Sequence, residues 1–199
     1  MGLLQVWFDD WVGGENICNC GGNSIIFDWI FGLLASEGNS KKTRLRLLDM
    51  IKQKFFEYKS KDYLEFKDLT DEVADFIKES NVKNGQVLVY STHTTVAICV
   101  NEKETGITKD FKRVLEKIVP KEDYYCHNDL TMRTENLVCQ SGASDCLNGH
   151  SHCTHLLMRN SETIPIENGK MMMGVWQRIF AIELDCGRDR KLVFQVIGE

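Results

Sequence analysis

The stretch TIPIENGKMMMGVWQRIFAIELDCGRDRKLVFQVIG (163–198) decides the fold class. Ile164–Ile166, Lys170–Gly174, Trp176–Leu184 and Lys191–Ile197 read as four successive strands, and Asp185–Asp189 reads as the turn joining the last two. Four strands with no helix between them do not fit strict strand–helix alternation. Working upstream, Lys54–Phe66 reads as one or two strands. Thr70 reads as an N-cap, with Asp71 and Glu72 suited to the positive end of a helix dipole. Val73, Phe76 and Ile77 carry the helical spacing, and Asn84-Gly85 stops it. Gln86–Tyr90 and Thr94–Val100 read as strands. Ile107, Phe111, Val114, Leu115 and Ile118 form an amphipathic stripe ending at Pro120, and a short helix is expected over His152–Met158. The class is therefore α+β: a compact mixed or antiparallel sheet core with two or three helices.

The chain has 199 residues, enough for a self-supporting core. Residues 1–40 hold no Lys or Arg, five acids, seven of the 15 Gly and three of the four Trp. Residues 1–45 read as an N-terminal appendage whose order the pattern leaves open, and 46–199 as the main domain. The main domain balances its charges and lacks a basic stripe, which argues against nucleic acid as partner. The absence of a basic start argues against a secretory or mitochondrial leader. The apolar run Ile25–Ala35 is too short to span a bilayer. The expectation is a cytoplasmic protein with reduced thiols and no membrane partner. Cys18-x-Cys20 is half a zinc motif without a second half, or two free thiols. Cys99 and Cys153 sit in apolar contexts and read as core, while Cys126, Cys139, Cys146 and Cys186 lie nearer loops. No C-x-x-C, Rossmann fingerprint or phosphate-cradling Gly-rich loop occurs.

All five histidines, His93, His127, His150, His152 and His155, fall within 93–155. The sharpest cluster is Asn148-Gly-His150-Ser-His152. It reads as part of a metal site with His93 and His127, or as surface and turn histidines. In extended chain, His93 and Asn101 stand about 26 Å apart at roughly 3.3 Å per residue. Both can line one pocket only if the strand bends or a neighbouring subunit supplies one end, which favours an oligomer. Gln177 and Glu183 share a strand face, whereas Trp176, Phe180, Ile182 and Leu184 read as core. Arg178 on that second face needs a partner. Glu183 in an apolar strand also needs one. Arg188 and Arg190 are candidates for that role or for phosphate binding.

STHTTVAICVNE (91–102), Asp110, YCHND (125–129), MRTENL (132–137), NGHSH (148–152), TIPIENGKMMMGVWQ (163–177) and ELDCGRDR (183–190) together resemble, in order, the YjbQ-like family. The resemblance implies a compact α+β homotrimer with polar pockets between subunits. It matches His93, Asn101, Glu102, His127, Asn148, His152, Trp176, Gln177 and Glu183 to the family pattern. It ranks His150 below His152 and leaves His155 out. Its secondary thiamine-phosphate synthase label implies joining a pyrimidine diphosphate to a thiazole phosphate with release of pyrophosphate.

The reading is a metal-dependent enzyme on a small phosphorylated substrate. A divalent ion, zinc or magnesium, sits on His93, His127 and His152. Glu102 or Glu183 serves as acid/base beside Asn101 and Gln177. Arg188, Arg190 and Asn148 bind substrate. The alternatives are a non-catalytic trimeric small-ligand-binding protein and a hydrolase using zinc-bound water.

Overall fold

The computed structural model describes residues 50–137 and 147–199. The appendage reading, Cys18, Cys20, Cys139 and Cys146 lie outside the described residues.

Alternating apolar residues build two antiparallel sheets. The strands are β1 (Ile51–Lys59), β2 (Phe66–Asp68), β3 (Gly85–Ser91), β4 (Val96–Glu102), β5 (Ser161–Glu167), β6 (Lys170–Met171), β7 (Gln177–Glu183) and β8 (Asp189–Gly198). One sheet runs β1-β8-β3-β5-β6 and the other β2-β7-β4. The helices are α1 (Thr70–Ser80), α2 (Thr105–Ile118) and α3 (Gly149–Leu157), with a 3-10 turn at Cys126–Asn128. The α+β expectation holds, and every described pairing is antiparallel.

β7 is the middle strand of the smaller sheet, and both its faces are covered. Ile179 and Ala181 join a core with Leu192, Phe194 and Val196 of β8 and with Val73, Phe76 and Ile77 of α1. Phe180, Ile182 and Leu184 join a second core with Leu64, Ala97 and Leu115. Trp176 differs from the core reading. It precedes the strand and is 71% exposed, because Gly174–Gln177 is a turn in which the Gln177 carboxamide accepts from the Gly174 N–H at 2.8 Å. Cys99 packs against the second core, and burial pushes its thiol up to about 11. Cys153 is exposed rather than core.

Helix starts follow the sequence with two shifts, the first being that α3 begins at Gly149 rather than His152. Asp68, not Thr70, is the capping side chain: its Oδ1 accepts from the Thr70 N–H at 3.0 Å and from its hydroxyl at 2.7 Å. Burial pushes the Asp68 carboxyl up, but the bonds from Thr70, Arg178 and Lys103 outweigh it and hold it at about 2. Arg178 finds its partners here, Asp68 at 2.9 Å and Asp71 at 3.2 Å. Glu104 caps α2 by accepting from the Gly106 and Ile107 N–H groups. Among the described residues no helix is long and apolar enough to cross a membrane.

Candidate functional site

Four connections meet at one end of the sheets. They are the Thr92–Thr95 loop between β3 and β4, the segment from Cys126 to Asn136, the start of α3, and the Leu184–Arg188 turn before β8. They enclose a cleft of about 550 Å³ lined by Thr92, His93, Thr94, Thr95, His127, Arg133, Asn136, Asn148, His152, Asp185, Arg188 and Arg190.

Beneath the cleft lies a buried ion pair, of which Arg190 lines the cleft. Glu183, 1% exposed, accepts from Arg190 Nη2 at 2.5 Å and Nε at 2.6 Å. The Ser60 hydroxyl at 2.6 Å and the Asp185 N–H at 3.0 Å complete its shell. The apolar strand therefore finds the cation it needed in Arg190. Glu183 is not placed as an acid/base, because each of its oxygens already takes two donors and the residue does not line the cleft. Gly187 permits the tight approach above it: a β-carbon there would lie 2.5 Å from the Lys61 carbonyl oxygen.

Asp185 organises the wall. Its Oδ2 accepts from Asn148 Nδ2 at 2.8 Å and from Arg188 Nη2 at 2.7 Å. A carboxylate accepts only, so the Asn148 amide must turn its Nδ2 toward Asp185 and its Oδ1 toward His127 Nε2, 3.2 Å away. Arg133 Nη1 lies 2.9 Å from that same nitrogen and donates to the His127 carbonyl oxygen at 2.9 Å. The rings of His127 and His152 stand 4.6 Å apart.

The expected residues divide into two groups. His93, His127, Asn148, His152, Arg188 and Arg190 share the cleft. Asn101, Glu102 and Gln177 do not. They are exposed at the far end of the β4–β7 ladder, where Glu102 pairs with Gln177 while Val96 pairs with Glu183. Six residues of strand put them about 20 Å away. His150 is buried between Tyr63 and Tyr125 at centroid distances of 5.5 and 6.3 Å and is a packing residue. Asp185 and Arg133 lay inside the quoted motifs but carried no signal of their own. Asp185 was readable only as a turn residue and Arg133 only as a surface cation.

The three-imidazole metal centre does not fit this arrangement. The His93 Nε2 lone pair accepts the Lys191 backbone N–H at 2.8 Å. A guanidinium sits against His127 Nε2, where a cation would be repelled. Among the described residues no three His, Cys, Asp or Glu side chains gather as a metal-holding group.

Burial lowers the pKa of four imidazoles below the ordinary histidine range. Arg190 reinforces this at His93, Lys121 at His150 and His127 at His152; at His155 a backbone bond at Val96 opposes it. Such a group takes a proton more readily unfolded than folded. Its contribution to stability is therefore present above pH about 6.5 and lost as pH falls through the lowered folded-state pKa. Thermal melts should show a flat Tm above neutrality and a falling Tm below pH about 6.5. A Tm that rises on acidification through this window contradicts the neutral buried imidazoles.

The family model described as UPF0047 protein YjbQ-like matches residues 54–199. A UPF0047 protein of Methanothermobacter thermautotrophicus is 35% identical over 136 residues, 68% of this chain and 85% of that one. The UPF0047 protein YugU of Bacillus subtilis is 28% identical over 132 residues, 66% of this chain and 88% of that one. Among solved structures, a YbjQ-like protein of unknown function from Sulfolobus solfataricus superposes with a TM-score of 0.62 at 27% identity, covering 75% of this chain and 99% of that one. An uncharacterised yjbq/upf0047 protein of Clostridium acetobutylicum gives 0.61 at 32% identity, covering 72% and 99%.

Proposed function

We propose, for a chain that belongs to the UPF0047 (YjbQ-like) family, that it is an enzyme acting on a small phosphorylated molecule held in the cleft. One observation carries this reading. Arg133, Arg188 and Arg190 line a space in which, among the described residues, Asp185 is the one lining carboxylate, bonded to Arg188 and Asn148. Guanidinium groups and threonine hydroxyls are the donors that phosphate oxygens take. The His127–His152 pair supplies proton transfer. His152, held below the usual histidine range by burial and by His127, is neutral at physiological pH and serves as the base.

The proposal includes a homotrimer. Val175 is 91% exposed and Trp176 71%, beside the exposed Asn101, Glu102 and Gln177. Bare aromatic and aliphatic side chains at one end of a sheet favour burial against another copy. That contact would carry a neighbour's Glu102 end toward a cleft it cannot reach within its own chain.

Titration with inorganic phosphate and pyrophosphate, followed by calorimetry, tests the cleft. Arg188→Ala should weaken binding by about 10–100-fold, the value of a charge-assisted hydrogen bond of roughly 1.5–3 kcal/mol. Wild-type protein indifferent to both anions sinks the reading. Native mass spectrometry should find three chains, and a monomer removes the trimer. Turnover is then sought with phosphorylated small molecules, including a thiazole phosphate with a pyrimidine diphosphate. Binding without turnover of any of them moves the assignment to a small-ligand-binding protein.

A further inference from the structure

At the mouth of the cleft β3 leaves β8. Their register ends at Ser91 with Leu192, so the next residue of β8, Lys191, has no strand partner on that side. Two side chains take the place of the missing backbone. The Thr92 hydroxyl donates to the Lys191 carbonyl oxygen at 3.0 Å, and the Lys191 N–H donates to His93 Nε2 at 2.8 Å.

This second bond fixes the imidazole. A backbone N–H only donates, so Nε2 must offer a lone pair, and the single proton of the neutral ring must sit on Nδ1. A metal-bound histidine has the opposite arrangement: the nitrogen away from the metal carries the proton and donates to an acceptor. Here the nitrogen that would have to donate faces a donor. Nε2 is in use, and Nδ1 carries the proton that a metal would have to displace.

His93 and Arg190 also line a neighbouring pocket of about 430 Å³, with Glu57, Tyr58, Asp189 and Lys191. Glu57 and Asp189 put two carboxylates on that side, which makes it unfavourable for an anion. The cleft side carries Arg133 and Arg188.

We infer that His93 is not a metal ligand but a locked Nδ1–H donor to an oxygen of an anionic ligand in the cleft. The donor half rests on the proposed phosphate site; the locked tautomer does not.

Histidine ¹H–¹⁵N correlation spectra of the wild-type chain at pH 8 read the tautomer directly, first alone and then with inorganic phosphate or zinc. The expected result is an Nδ1–H pattern for His93 that phosphate shifts and zinc leaves unchanged. His93→Gln places a carboxamide oxygen near the Nε2 position, so it keeps the acceptor for Lys191 and moves its N–H donors away from the Nδ1 position. It should hold its Tm while phosphate binding weakens by about 10-fold, the loss of one charge-assisted bond. His93→Ala should lose both. An Nε2–H tautomer overturns the inference. So does zinc that shifts the His93 nitrogens and exposes the Lys191 amide to exchange, or a His93→Gln protein that binds phosphate like wild type. If the wild type shows the Nδ1–H tautomer yet binds no phosphate, the locked ring is supported and the anion-donor role falls with the proposed function.

Discussion

Glu183→Ala should lower the stability of the folded chain by about 3–5 kcal/mol, the usual cost of removing one partner of a buried ion pair. The size follows from what is left behind. Arg190, whose side chain is 5% exposed, loses both guanidinium bonds to the carboxylate. The Ser60 hydroxyl and the Asp185 N–H lose their acceptor as well. For a domain of this size the melting temperature should fall by roughly 10 °C. The double replacement Glu183→Met with Arg190→Met should cost less than Glu183→Ala alone, because it strands no charge. A Glu183→Ala chain that melts within about 2 °C of wild type would mean that the carboxylate is not the buried counter-ion. Arg190 is the link between this pair and the site: it touches Thr95 Oγ1 at 3.4 Å and lines the cleft. Glu183 thus bears on the cleft by holding Arg190 in place.

Phe194→Ala is expected to cost about 3–5 kcal/mol by a different route, the lost transfer of an aromatic ring plus the cavity it leaves. Phe194 is 1% exposed at the centre of β8. Its ring meets Phe56 of β1 at 5.4 Å and Phe76 of α1 at 6.2 Å. β8 is bonded on both sides, to β1 and to β3, so the strand cannot slide to fill the space. Phe194→Leu keeps most of the volume and should cost only about 1–1.5 kcal/mol. Urea unfolding at pH 7.5 checks both, with an unchanged m-value as the sign that only the folded state was weakened. Equal losses for the two variants would mean that the site collapses rather than leaving a cavity.

Position in the chain was enough to read β8, because alternation is a local property. Leu192, Phe194 and Val196 point inward and are buried, while Lys191 and Ile197 are exposed. The helical period of α2 was legible too, and the helix ends before Pro120, but of its stripe only Leu115 is buried while Ile107, Val114 and Ile118 are exposed. A carboxylate inside an apolar strand also announces that it needs a cation, so the Glu183–Arg190 pair was foreseeable in kind from the stretch 183–190. Trp176 was misread because alternation says nothing about where a strand begins. The Gly174–Gln177 turn shifts that start by one residue and leaves the indole outside.

The sequence by itself determined the α+β class, the strand and helix periods, the family and the gathering of His93, His127, Asn148 and His152 into motifs. Only the tertiary structure decided what each of them does. The tautomer of His93 depends on a backbone N–H at Lys191, 98 residues away. The orientation of Asn148 depends on Asp185, and the distance of Glu102 from the cleft depends on which end of the β4–β7 ladder it occupies. Burial and periodicity are written into neighbouring residues. The role of a polar atom is set by the donor or acceptor that the fold brings against it, and that partner is remote in the chain.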